Sequence, residues 1–249
     1  MRSKQFRLGA LFLTSVMLLS LVLGMLGGCQ SQSPLGTFTD DMGREVSIDR
    51  IPQRIVSMAP SHTEILFALG LGDRVVGVTK YCNYPEEAKE KEIIGGFATA
   101  DPEKVIALEP DLILAFGSVQ ESLVGELEAR GQKVFWLYPH SVSEVLESFE
   151  RIGELVGASA AGQRLRKEVE EEIGRVAAKT KDVPEQERPT VFRVMGLNPP
   201  ATIGGAAFQT DDYWLAGGRN VFADTDKDYF QLDLQTLIER LLRPGRRAA

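Results

Sequence analysis

Hydrophobic and polar positions alternate along the chain in a repeating order. RIVSMA (Arg54–Ala59) is a short apolar, β-leaning run. Ser61-His62-Thr63-Glu64 then has the S-x-x-E form of a capping box ahead of the apolar ILFALG, which predicts a helix starting at Ser61. Gly70 and Gly72 stop that helix, and VVGVT (Val75–Thr79) is the next strand. After it, KYCNYPEEA (Lys80–Ala88) reads as a turn in which Pro85 opens a helix. The order then repeats. Asp101 and Pro102 open a helix through DPEKVIALEP, DLILAF (Asp111–Phe116) is a strand, SVQESLVGELEARG a helix and KVFWLY (Lys133–Tyr138) a strand. Strands that are apolar throughout and alternate with helices predict a parallel sheet covered on both faces. Ahead of them, FTDDMGREVSIDRIPQR reads as a hairpin-like lead-in with Gly43 at its turn.

From Val142 to about Asp182 no strand is signalled. VSEVLESFERIGELVG and SAAGQRLRKEVEEEIGRVAAKTK read as two helices. The second is long and charged, with Leu165, Val169, Ile173 and Val176 spaced by three and four. Its run RLRKEVEEE is a solvated face. A second alternating segment begins with a strand at TVFRVMG (Thr190–Gly196), passes through LNPPATIGG and enters a helix over Ala206–Ala216. The pattern therefore predicts two α/β units joined by a long helix.

The N-terminus adds location. Met1–Arg7 carries Arg2, Lys4 and Arg7 and no acid, and Leu8–Gly28 is uncharged up to Cys29. A basic region followed by an apolar one is the layout of a secretory signal. The apolar run, ~20 residues, is also long enough to cross a bilayer as a retained helix. LGGC (Leu26–Cys29), followed by the polar QSQSPLG, resembles a bacterial lipoprotein box. That resemblance implies a signal peptide over 1–28, a lipid on Cys29 and an extracytoplasmic protein held at a membrane face, each buried CH₂ contributing roughly 0.8 kcal/mol. Cys82 then has no partner in the mature chain, so no structural disulfide is expected.

Loss of the signal takes the formal charge from −7 to −10, because Arg2, Lys4 and Arg7 leave with it. An acidic chain argues against nucleic acid as a partner. The 43% apolar content is that of a globular protein.

Candidate chemistry narrows by context. LGLGDRVVG (Leu69–Gly77) contains G-x-G, but a helix precedes it where a dinucleotide site needs a strand, and Val75 replaces the third glycine. No G-x-S-x-G occurs, and the two histidines, His62 and His140, lie in no recognisable nucleophile context. Cys82 as a catalytic thiol would need a base nearby. Metal-ligand spacings such as H-x-x-H, C-x-x-C or H-E-x-x-H are absent from the sequence. No catalytic residue, metal site or cofactor is expected.

The loops carry the remaining signal, since ligands of parallel α/β sheets bind beyond the carboxyl ends of the strands. Those ends hold Pro60-Ser61-His62, Tyr81-Cys82-Asn83-Tyr84, Phe116-Gly117-Ser118 and Tyr138-Pro139-His140. Taken together they predict the wall of a cleft for a large, flat, partly apolar ligand.

RIVSMAPSHTEILFALGLGDRVVGVTKYCNYPEEA and IGGFATADPEKVIALEPDLILA resemble the first lobe of the helix-linked substrate-binding proteins of bacterial ABC importers for cobalamin, haem and ferric siderophores. The resemblance runs from about Phe38 to Arg240. It implies two Rossmann-like lobes with parallel sheets joined by one rigid helix: an N-terminal lobe over 38–141 after a spacer at 29–37, a linker over 142–182 and a C-terminal lobe over 183–249. It also implies a monomer that hands its ligand to a membrane permease and its ATPase, without catalysis. Tyr81-x-x-Tyr84-Pro85 and GLNPPATIGG are most similar to cobalamin-binding members. On that similarity Tyr81, Phe97 and Phe116 face the ligand from the first lobe and Tyr229 from the second, with Ser61, His62 and Tyr84 beside them. Phe97 and Tyr229 stand where those members carry tryptophan, and a tyrosine at 81 could ligate haem iron, so haem and ferric siderophore stay open beside cobalamin.

Docking to the permease is expected through one glutamate per lobe, paired with arginines. Glu103 matches the first. The second falls on Gln235, which removes the charge and leaves Asp233 or Glu239 as substitutes. The family would continue past LIER, whereas this sequence closes on LLRPGRRAA, with four arginines in its last ten residues. Thr190–Ala249 is 60 residues with one clear strand, and a lone strand makes no stable sheet. The expectation is an incomplete second lobe in a truncated or frame-shifted product, with a genuine short form bearing a basic tail as the alternative; the alternative functions are a remnant that no longer binds tightly and an enzyme using Cys82 or a histidine.

Overall fold

The computed structural model describes residues 35–242. The expected signal peptide, Cys29 and most of the spacer, together with the basic tail from 243, lie outside them.

The lead-in is a hairpin of β1 (Gly36–Thr39) and antiparallel β2 (Glu45–Ile48), with Gly43 at positive φ in the turn. Asp40 fastens that turn: its buried carboxylate accepts from the backbone N–H of Met42 at 2.9 Å and of Arg44 at 3.0 Å. Val46 and Ile48 alternate inward from β2 and join the core.

The centre is a five-stranded parallel sheet in the order β5-β4-β3-β6-β7, built from β3 (Ile55–Ser57), β4 (Val75–Val78), β5 (Glu92–Ile93), β6 (Leu112–Phe116) and β7 (Val134–Leu137). Successive residues of these strands feed opposite faces, as the two-residue strand period requires. Ile55, Leu112, Leu114, Phe135 and Leu137 pack with Ile65, Leu66, Ile152 and Leu155 of α1 (Pro60–Ala68) and α4 (Val142–Leu155). Val56, Ile113, Ala115, Val134 and Trp136 pack on the other face with Val105, Val124 and Leu127 of α2 (Pro102–Ala107) and α3 (Glu121–Ala129).

Local chemistry sets the helix ends. Asp101 caps α2, accepting from Glu103 N at 2.9 Å, with Pro102 at the first helical position. Helix α1 ends in a Schellman motif, Leu71 N–H to Leu66 O and Gly70 N–H to Phe67 O, both at 2.9 Å, with Gly70 at positive φ. Its start departs from expectation. Pro60 takes the first helical position and Ala59 the cap without a side-chain bond, so the S-x-x-E box at Ser61 is unused. The φ of proline is already helical, and it starts the helix one residue early.

The long helix α5 (Ser159–Thr180) has 22 residues, about 33 Å at 1.5 Å per residue. It crosses α4 at Gly162, where a Cβ would lie 2.6 Å from the carbonyl of Phe149. Beyond it the expected single strand at Thr190–Gly196 is corrected. Only Thr190–Val191 is strand there (β8), pairing in parallel with β11 (Arg219–Asn220). Gly196 and the Asn198-Pro199 turn break the run into an antiparallel hairpin of β9 (Gly196–Leu197) and β10 (Pro200–Ile203), which β12 (Tyr229–Gln231) completes. Helices α6 (Phe208–Leu215) and α7 (Leu234–Leu242) lie among these strands in sequence. Five short strands in two small sheets therefore stand where one was expected.

Candidate functional site

Strand order places the site. Central β3 has β4 on one side and β6 on the other, so the loops leaving their carboxyl ends diverge and leave a crevice. Phe116, the last residue of β6, sits in it. The rings of His62, Phe97 and Tyr138 surround Phe116 at centroid distances of 5.6, 6.2 and 6.4 Å, and His140 lies 4.3 Å from Tyr138. The arrangements are edge-on or tilted, as ring quadrupoles prefer.

Gln120 holds this wall in register. Its buried carboxamide donates to the carbonyls of Met58 and Phe97, both at 2.8 Å, and accepts from Phe116 N at 2.9 Å. Three strand-end loops thus share one side chain. Cys82 acts in a comparable way, its thiol buried against the hydroxyls of Thr63 at 3.2 Å and Thr79 at 3.3 Å and anchoring the Lys80–Ala88 turn. With hydroxyls as its partners it has no base to activate it.

The chain after α5 supplies the opposite wall. Met195, Ile203, Phe208 and Tyr229 face Phe97, Phe116 and Tyr138 around a cavity of about 320 Å³. The Tyr138 hydroxyl donates to the Asp228 carboxylate across this cleft. Gly204 and Gly205 permit the approach, because a Cβ on the first would collide with the carbonyl of Lys227 and on the second with that of Ala223. Phe116, Pro139 and Phe208 also border a second cavity of about 390 Å³ lined by Ser61, His62 and Tyr84.

His62 is the buried titratable group of the site. Burial pushes its pKa down to about 4, with the Leu114 backbone and the charge of Asp41 acting in the opposite direction, so the ring is neutral at pH 7.

A family model described as periplasmic binding protein matches residues 55–241. The chain belongs to the periplasmic binding protein family. It is 36% identical over 193 residues to the uncharacterized ABC transporter substrate-binding lipoprotein YvrC of Bacillus subtilis, covering 76% of this chain and 61% of the relative. The chain thus spans less than two thirds of that relative's length. Among solved structures, the periplasmic vitamin B12 binding protein BtuF of Vibrio cholerae superposes with a TM-score of 0.67 at 26% identity, over 76% of this chain and 74% of the other. The periplasmic heme-binding protein RhuT from Roseiflexus sp. RS-1 gives 0.65 at 26%, over 76% and 73%.

In this periplasmic binding protein the structure brings Phe97, Phe116 and Tyr229 to the first cavity and Ser61, His62, Tyr84 and Phe116 to the second. Tyr81, expected beside them, lies outside both. The turn closed by Cys82 N–H on Thr79 O at 3.0 Å buries Cys82 and leaves Tyr81 exposed, its ring 5.2 Å from the Lys80 ammonium. The sequence reading missed Gln120, Met195, Phe208 and Asp228 as site residues. A signal for Phe208 was present in the Gly204-Gly205 pair, which announces close backbone approach just ahead of it. Of the expected docking residues, Glu103 is exposed and ion-paired with Arg130, and Gln235 donates to Glu239 on α7 at 2.8 Å. Among the described residues no group of three or more His, Cys, Asp or Glu is placed to hold a metal ion.

Proposed function

We propose that the protein is the solute-binding component of an ABC importer, capturing a cobalamin between the strand-end wall and the chain after α5 and passing it to a permease and its ATPase. The observation that carries this reading is the aromatic cleft itself: Phe97, Phe116, Tyr138 and Tyr229 around one cavity, with the Tyr138 and Tyr229 hydroxyls as polar handles. A flat ring system presents the matching surface, with large apolar faces and a polar periphery. Similarity to the vitamin B12 binding protein of Vibrio cholerae supports the corrinoid, and similarity to the heme-binding protein RhuT supports haem as the second ligand to test. Similarity to YvrC, named as a lipoprotein, supports lipid attachment, here at Cys29, and therefore an extracytoplasmic, membrane-anchored protein. Glu103 and the Gln235–Glu239 pair are the proposed permease contacts. Docking there would exchange Arg130 for a permease arginine at Glu103.

The test is a titration of the full-length protein in detergent with cyanocobalamin, haemin and a ferric siderophore, followed by intrinsic fluorescence. Saturable binding of cyanocobalamin with weaker binding of the other two is expected. Preference for haemin or the siderophore would replace the ligand but keep the class, and turnover of any of them would refute the binding-protein reading.

A further inference from the structure

The charges around the aromatic cavity narrow what it accepts. Among the described residues that line it, Asp228 alone is an Asp, Glu, Lys or Arg, and His140 is the other ionisable group besides the tyrosines. Two cations close to cavity residues in sequence, Arg193 and Lys227, do not line it. The Arg193 Nε donates to Met195 Sδ at 3.0 Å, and the Lys227 ammonium lies 5.9 Å from the centre of the Phe230 ring.

The Asp228 carboxylate is held in place rather than free to swing aside. Its Oδ1 accepts from the Tyr229 N–H at 2.6 Å and its Oδ2 from the Tyr138 hydroxyl, which also lies 3.4 Å from the Ser118 hydroxyl. The backbone beneath it is fixed as well. Gly204 N–H donates to Asp228 O and Ala206 N–H to Lys227 O, both at 3.1 Å, through the close approach that Gly204 and Gly205 allow. An ionised carboxylate has about four acceptor positions, so roughly two are left for donors on a ligand.

A fixed negative charge in a largely aromatic cleft acts in two directions. An amide N–H on the ligand gains a charge-assisted acceptor, whereas a ligand carboxylate meets like charge that the surrounding rings do not screen. We propose that Asp228 is a specificity-determining residue: the cleft takes a flat ring bearing neutral amide or cationic arms and turns away the same ring bearing carboxylates. This inference rests on the cleft being the ligand site proposed above and adds the charge class of the ligand.

The test compares ligands of one shape and different charge, by intrinsic fluorescence titration of the full-length protein in detergent. Cyanocobalamin is set against its b-, d- and e-monocarboxylic acids, in which one side-chain amide has become a carboxylate, and haemin dimethyl ester against haemin. The readout is the ratio of dissociation constants, acid over uncharged partner. In the wild type the ratio reaches about tenfold or more for at least one corrinoid acid and for haemin, and it falls towards unity in Asp228→Asn, which keeps an acceptor for Tyr138. Asp228→Ser gives the same fall should Asp228→Asn fail to fold. Tyr138→Phe, which removes the bridge and keeps the charge, leaves the ratio within about twofold of the wild type. A ratio near unity in the wild type for either set that binds, or one that survives Asp228→Asn, overturns the proposal. Collapse of the ratio in Tyr138→Phe assigns the selection to the bridge and overturns it too. If cyanocobalamin fails to bind while the haemin pair shows the ratio and Asp228→Asn abolishes it, the corrinoid reading falls and the charge selection stands. If none of these probes binds, both fall.

Discussion

Gln120 bonds the backbone of three strand-end loops with one side chain, so replacing it acts on stability and on the site at once. In Gln120→Leu the carbonyls of Met58 and Phe97 and the N–H of Phe116 lose their partner, each loss costing about 1–3 kcal/mol when the group stays buried. A total loss on the order of 3 kcal/mol in urea unfolding, together with weaker ligand binding, is expected; unchanged affinity would show that the loops hold Phe97 and Phe116 without it. His62 sets a pH dependence. An unfolded histidine titrates near 6.5 and the folded one near 4, so in between the unfolded chain binds the extra proton and folding weakens as pH falls. The stability attached to the neutral ring is whole above about pH 6.5 and declines on acidification to about pH 4, by on the order of 3 kcal/mol. His62→Phe should flatten this part of the curve, and parallel curves for both proteins would contradict the assignment. Legibility at this scale depended on position. Phe116 ends an apolar run and could be named from the strand pattern, and Phe97 and Tyr229 through the resemblance alone, whereas the partners of Gln120 are backbone atoms of separate loops that no spacing encodes.

Arg188 shows how elements are joined after the long helix. Its buried guanidinium donates to the carbonyls of Thr180 at 3.1 Å, Val183 at 3.2 Å and Trp214 at 2.6 Å, and stacks 3.7 Å over the Trp214 ring. Thr180 and Trp214 belong to the last turns of α5 and α6, so one cation satisfies carbonyls at two helix C-termini. Arg188→Met keeps the stem but strands those carbonyls. Loss of roughly 2–4 kcal/mol is expected from thermal or urea unfolding, and a variant as stable as the wild type would remove Arg188 from the account. Four strands of the five-stranded sheet and its helices were legible because continuous apolar runs alternate with capped helical periods, as at Asp101-Pro102, whereas the edge strand β5, two exposed residues, has no run of its own. The strands after α5 were not, because each is two to four residues long and is set by tertiary pairing rather than by a run of its own. The start of α1 failed for a different reason: two valid start signals, Pro60 and Ser61, compete, and the earlier one prevails.

At the scale of the molecule, one sheet provides the rigid wall and the chain after α5 faces it, so the aromatic residues of both meet across a cleft bridged by Tyr138 and Asp228. The acidic balance, −7 over the full sequence, gives no attraction for nucleic acid. The central claim is that this aromatic cleft is the ligand site. Its most direct test is the dissociation constant for cyanocobalamin measured by calorimetry on the wild type and on Tyr229→Ala, a residue 50% exposed whose side chain can be removed without opening the core. Saturable binding in the wild type, weakened about tenfold or more in Tyr229→Ala, equivalent to about 1.4 kcal/mol, with an unchanged melting temperature, is the predicted result. Equal affinity in the two proteins would place the ligand elsewhere and contradict the account.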